Sequence, residues 1–251
     1  MNTFENFISL GYFCSVAQET ERLGFRNASF PFDWIITDFE GIFYAIENNF
    51  EGFLEEKYLA QSKKNLATYK NLKFNLYFFH DFSKYHSLKS QLKNVRAKYS
   101  RRINRFYREI SKPTLFIRYI SDLKRDEAGR FLELEWIESN INHIRNTLKM
   151  FNQKNEIIFV ANDCIKSDKI KIYNVQPDIN DLVARKFFEK NEELSNLFES
   201  FEFDKKEHNL KICRIKNEKK NNPLRIFIKK VTAKLERNFL KEYVHSVQYD
   251  E

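Results

Sequence analysis

Short apolar runs alternate along the chain with longer stretches whose apolar residues recur every three or four positions, the pattern of an α/β domain. Phe7–Leu10 is the first run, and Gly11 stops it. Ser15–Leu23 reads as a helix closed by Gly24, a residue type that ends helices because it accepts positive φ. After the turn Ser29-Phe30-Pro31-Phe32-Asp33-Trp34, Asp38 is placed to cap a helix over Phe39–Glu47. Phe74–Phe79 is strand-like and ends at His80-Asp81. Leu88, Leu92, Val95, Tyr99, Ile103, Phe106 and Ile110 then keep helical spacing, which predicts one long amphipathic helix stopped by Pro113. Thr114–Ile120 is a β-rich run ending at Ser121-Asp122. Leu134, Ile137, Ile141, Ile144, Leu148 and Phe151 form the cleanest helical stripe, and Ile157–Ala161 is a buried-type strand ending at Asn162-Asp163-Cys164. Lys169–Val175 is expected as an edge strand, Asp181–Ser200 as a helix and Leu210–Ile215 as a last strand. The expected fold is therefore α/β, a mostly parallel sheet of about five strands flanked by helices.

The final segment follows its own pattern. Leu224, Phe227, Ile228, Val231, Leu235 and Phe239 fall on a stripe about 140° wide, with Arg225, Lys229, Lys230, Lys234, Arg237 and Lys241 on the remaining arc. This predicts a basic amphipathic C-terminal helix, of the kind that lies on an anionic membrane surface or in a partner's groove. Two units are expected: a catalytic-type α/β domain over residues 1–216, and a basic linker with this helix over 217–251.

Charge and composition narrow the function classes. The net charge is +8, but residues 84–112 carry a local +9 and residues 205–241 a local +10, so the remaining body is acidic. Two basic segments on an acidic body point to an anionic partner: nucleic acid, an anionic lipid surface or a phosphorylated substrate. Only five glycines occur, at 11, 24, 41, 52 and 129, so neither G-x-G-x-x-G nor G-x-x-x-x-G-K-[ST] can be written. A dinucleotide or P-loop site in its usual form is excluded. No apolar stretch approaches the length that spans a bilayer, and the N-terminus does not read as a signal peptide. Three cysteines in no metal spacing suit a reducing compartment, so the expected location is cytoplasmic, with the inner membrane face as a peripheral site through residues 224–244. No cofactor and no metal ligand set are expected.

Candidate chemistry lies where apolar strands give way to polar turns. Ligands of α/β sheets bind beyond the carboxyl ends of the strands, and here those ends are Gly11–Cys14, His80-Asp81, Ser121-Asp122 and Asn162-Asp163. Cys14 falls at the start of a predicted helix, where the helix dipole favours a thiolate and unpaired backbone N–H groups can hold an oxyanion. Such a nucleophile needs a base and a group that orients the base. His80 is the best base, His86 the reserve, and Asp33 or Asp81 the orienting carboxylate. Pro31 fixes a turn in which Phe32 and Trp34 anchor Asp33. Arg26 and Arg118 are candidate anion binders, with Ser29, Trp34, Asn162 and Asp163 as further substrate contacts. His143 is expected to be exposed, His208 and His245 carry no role, and Cys213 reads as core. Cys164 follows a strand and could line the same cleft.

The run Ile8-Ser9-Leu10-Gly11-Tyr12-Phe13-Cys14-Ser15-Val16-Ala17, then Leu23-Gly24-Phe25-Arg26, then Ser29-Phe30-Pro31-Phe32-Asp33-Trp34-Ile35, with Phe79-His80-Asp81 later, resembles a bacterial family of unknown function described as papain-like cysteine peptidases. The likeness is dense over residues 8–36 and loose through the Thr114–Ile120 and Ile157–Ala161 strands. It implies a Cys14 nucleophile, a His80 partner and a role for Asp33, acting on a peptide or a glycan-linked small substrate. A cysteine-nucleophile hydrolase is the first expectation. A glycan-modifying acyl transferase of surface-polysaccharide biosynthesis is the alternative, since both pass through an acyl thioester. A non-enzymatic module binding anionic lipid, or less readily nucleic acid, is the third.

Overall fold

The structure, a computed structural model, describes residues 4–177 and 186–201. It is mixed α/β, but its strands divide into two sheets. The parallel sheet has the order β1 (Asn6–Ser9), β6 (Thr114–Tyr119), β7 (Glu156–Asn162), β8 (Ile172–Val175). The second sheet is antiparallel, in the order β2 (Ile35–Thr37), β5 (Leu76–Phe78), β4 (Tyr69–Asn71), β3 (Leu59–Gln61). Five helices accompany them among the described residues: α1 (Ser15–Arg22), α2 (Phe39–Glu47), α3 (Leu88–Ile110), α4 (Leu132–Phe151) and α5 (Glu192–Glu199).

The parallel strands read as continuous apolar runs because both their faces are buried. In β6, Phe116 joins one core with Ile8, Phe159 and Ala161, while Leu115, Ile117 and Tyr119 join a second core with Phe7 and Val160. Successive side chains point to opposite faces of a strand, so alternate residues feed different cores. The first core is filled from α3 and α4 by Val95, Tyr99, Phe106, Ile137, Ile144 and Leu148. The second is closed by Val16 of α1 with Leu194 and Phe198 of α5. Helix α3 begins at Ser87, whose hydroxyl accepts the Ser90 N–H, and its apolar stripe is the predicted one.

The expected sheet of five strands is corrected in three respects. The parallel sheet has four strands among the described residues, and Phe74–Phe79 does not belong to it. Only Leu76–Phe78 is strand, and it pairs antiparallel with both β2 and β4. Asn75, at φ +52, turns the chain between β4 and β5. The second sheet escapes pattern reading because its strands are three residues long, and β3 and β4 carry Gln61, Lys70 and Asn71. Asp38 holds the N-cap position of α2 but makes no cap bond; its carboxylate accepts instead from Lys124 Nζ at 2.7 Å and from Asn75. The Asp181–Ser200 helix is described only from residue 186, where a short 3-10 turn over Phe187–Glu189 precedes α5. Leu210–Ile215, Cys213, His208, His245, the basic segment 205–241 and the amphipathic stretch lie outside the described residues. None of the described helices is long and apolar enough to cross a membrane.

Candidate active site

Cys14 is the N-cap residue of α1, reached from β1 through a contorted turn. Gly11 takes φ +73 and Tyr12 takes φ +26, left-handed backbone that costs a residue with a side chain. A methyl at Gly11 would meet Thr37 Oγ1 at 2.5 Å and Arg118 Nη1 at 3.3 Å, so both conformation and space demand glycine. The turn is tied to β2 by Thr37 N–H donating to the Tyr12 carbonyl. Cys14 is buried, and Gln18, one helical turn on, donates from Nε2 to its sulfur at 3.5 Å. No side chain caps the start of α1, so the helix opens on backbone N–H groups that have no intrahelical acceptor.

Arg118 lies directly beneath this turn and is fully buried. Its five N–H groups are all engaged: Nη1 with the Leu10 carbonyl and Thr37 Oγ1, Nη2 with the Thr37 carbonyl and Glu133 Oε2, and Nε with Glu133 Oε1. One guanidinium thus joins the ends of β1 and β2, one from each sheet, to α4. Burial pushes the Glu133 carboxyl up, and Arg118 pulls it back. The expectation that Arg118 binds a substrate anion is therefore corrected: no donor is left over, and the residue holds the two sheets together under Cys14.

The Ser29–Trp34 motif closes on itself. Asp33 is buried, and its Oδ2 accepts from the Phe30 N–H at 2.8 Å and from Arg26 Nη2 and Nε at 2.7 and 3.2 Å. Arg26 also donates to Ser29 Oγ and to Glu21, and its guanidinium lies 5.2 Å from the Trp34 ring centre. Burial raises the Asp33 carboxyl against the pull of Arg26 and the Phe30 amide. The structure thus brings Arg26, Ser29, Asp33 and Trp34 into one knot. These contacts fix the loop, and Asp33 is spent on Arg26 and the Phe30 amide rather than on orienting a histidine.

His80 follows β5 at the protein surface, its ring 4.8 Å from that of Phe79. Desolvation by the surrounding groups lowers its pKa below 6.5, with Lys98 adding to the effect and Asp81 opposing it. Asp81 is turned away into α3, where it accepts from Tyr99 OH at 2.8 Å and from Lys98. It anchors the His80 loop to the helix. Phe13 and Phe79, the residues preceding Cys14 and His80, both pack against Ile36 of β2, which brings the two segments to one place.

A family model described as "Putative papain-like cysteine peptidase" matches residues 5–195. The chain belongs to this family. Uncharacterized protein R408 of Acanthamoeba polyphaga mimivirus is 33% identical over 184 residues, covering 64% of this chain and 79% of that protein. No solved structure matches.

In this family member the carboxyl ends of the parallel strands also gather polar groups. Asn162 donates from Nδ2 to Asp122 Oδ2 at 2.7 Å and accepts from Tyr119 OH at 2.5 Å, so it holds Asp122 rather than facing outward as an expected substrate contact. Asp122 lies close enough to Tyr12 and Cys164 for its charge to raise both their pKa values, after burial, which is the larger cause for each. Asp163 and Cys164 are exposed. His143 is exposed as expected and pairs with Glu47 at 2.5 Å, and His86 is exposed on the approach to α3. Sequence reasoning passed over Gln18 and Glu133. Gln18 was findable, because residues four apart share a helix face. Glu133 was not, since its partner is 15 residues away across a loop. No group of three His, Cys, Asp or Glu side chains suited to a metal occurs among the described residues.

Proposed function

We propose that the protein is a cysteine-nucleophile hydrolase in which Cys14 attacks and His80 is the general base. What carries the reading is the placement of Cys14 at the start of α1 after a strained strand-to-helix turn, in a chain of a cysteine peptidase family. His80 takes the thiol proton, and the thiolate adds to the substrate carbonyl carbon while the carbonyl electron pair moves onto oxygen. The N–H groups opening α1, with Gln18 Nε2 beside the sulfur, stabilise this developing charge. Collapse expels the leaving amine or alcohol with the proton from His80. Water, deprotonated by His80, then cleaves the thioester and restores the thiol. The lowered His80 pKa keeps the imidazole neutral, as a base must be, through the neutral range.

The test is thiol reactivity in the folded protein. Cys14 is expected to react with iodoacetamide at least about tenfold faster than Cys164 near pH 7, where burial and Asp122 hold the Cys164 thiol protonated. The fast phase vanishes in Cys14→Ser and slows in His80→Gln. If Cys14 labels no faster than Cys164 and Cys213, the reading is wrong.

A further inference from the structure

The apolar stripe of the basic segment 84–112 is used by the core, but much of its positive charge is used by neither the fold nor the proposed chemistry. On α3, Lys98, Arg102 and Arg105 lie one turn apart on the face that meets the two motif loops. Lys98 is paired with Asp81. Arg105 Nη1 donates to the Ser29 carbonyl at 2.9 Å, a neutral partner inside the motif. Arg102 stacks 5.2 Å from the Tyr99 ring centre and is close enough for its charge to act on both Asp33 and Tyr99. Its Nη1 is buried and makes no hydrogen bond. Among the described residues, no carboxylate pairs with Arg102 or Arg105, whereas Asp33 is taken by Arg26 and Asp81 by Lys98.

Arg102 and Arg105, both half-buried and three residues apart, therefore carry charge that no carboxylate among the described residues pairs with. A guanidinium donor withdrawn from water and given no acceptor is unfavourable, so an oxyanion arriving here gains both charge and hydrogen bonds. We propose that Arg102 and Arg105 form a binding subsite for a phosphoryl dianion, the phosphate monoester of a small substrate. The charge selects the class: two cations with no paired carboxylate among the described residues match a dianion better than a carboxylate or a phosphodiester, and the planar fork of arginine meets two phosphate oxygens at once. The place selects the role, because Arg105 holds the Ser29 carbonyl of one motif loop, and Lys98, one turn before Arg102, holds Asp81 next to His80 in the other. The subsite goes beyond the thiol chemistry and does not depend on it.

The experiment titrates inorganic phosphate, glycerol 3-phosphate and acetate into the full chain by calorimetry at low and moderate salt. Saturable phosphate and glycerol 3-phosphate binding is expected, at least tenfold tighter than acetate and weakening with salt. Arg102→Gln should reduce affinity tenfold or more, while Arg101→Gln, which removes the same charge from the exposed face of the same turn, changes it less than twofold. If Arg102→Gln does not fold, Arg102→Lys keeps the charge and must still weaken binding. Absence of saturable phosphate binding overturns the proposal. So does equal loss in the two glutamine variants, or Arg102-dependent binding to phosphatidylglycerol vesicles without binding of glycerol 3-phosphate. Cys14→Ser must retain phosphate affinity, so failure here and failure of the thiol reading are separate results.

Discussion

Gly11 concentrates the demands of the site into one residue. Its positive φ and the 2.5 Å approach of Thr37 Oγ1 leave no room for a side chain. Gly11→Ala is expected to cost about 2 kcal/mol or more in chemical denaturation and to slow Cys14 labelling in the fraction that folds. Arg118 makes a similar case for buried charge. Removing its partner in Glu133→Leu strands a guanidinium in the interior and should destabilise the fold by about 3–5 kcal/mol. The double variant Arg118→Met/Glu133→Leu should recover much of that loss, and additivity of the single effects would argue against a coupled pair. His80 sets the pH response. Its folded pKa lies below the unfolded value, so the neutral imidazole contributes stability above about pH 6.5 that is lost as pH falls through the folded value. The acid limb of Cys14 labelling should accordingly lie below pH 6.5, and His80→Gln should remove it.

At the scale of elements, the informative contacts are those that aim loops. Asp81 is bound to Tyr99 and Lys98 of α3, so it controls where the segment after β5 sits. Asp81→Asn is expected to lower stability by about 1–3 kcal/mol, the range for weakening a hydrogen bond to a buried charge, and to slow Cys14 labelling. Unchanged labelling would show that the His80 loop needs no anchor. Helices α1 to α4 were legible because each carries an apolar stripe of three or more turns or a clear stop, such as Gly24 or Pro113. β3 and β4 were not, because three residues span too little of the chain to show a period, and their polar positions resemble a loop. β2 was hidden differently: Ile35-Ile36-Thr37 is apolar but sits between a proline turn and a helix cap, with no alternation to mark it.

Across the whole molecule, two sheets meet at the turn that carries Cys14, and that meeting is where the sequence reading and the structure part. The basic C-terminal stretch belongs to this scale as a proposal: if residues 224–244 contact anionic lipid, the full chain should float with phosphatidylglycerol vesicles in low salt. Replacing Lys229, Lys230 and Lys234 by Gln should then abolish flotation without altering thiol reactivity. Flotation that survives this change would remove the proposal. By itself, the sequence determined which segments are buried on both faces, where the long helices run, and that a cysteine follows the first apolar strand and a histidine a later one. Those are local properties, written in periodicity and in the residues that stop it. Only the tertiary structure decided that Leu76–Phe78 joins a separate antiparallel sheet, that Arg118 clamps rather than binds, and that no carboxylate among the described residues pairs with Arg102 or Arg105. Charge is visible in a sequence, but whether a charge is already paired and its donors engaged depends on partners brought from 15 to 108 residues away.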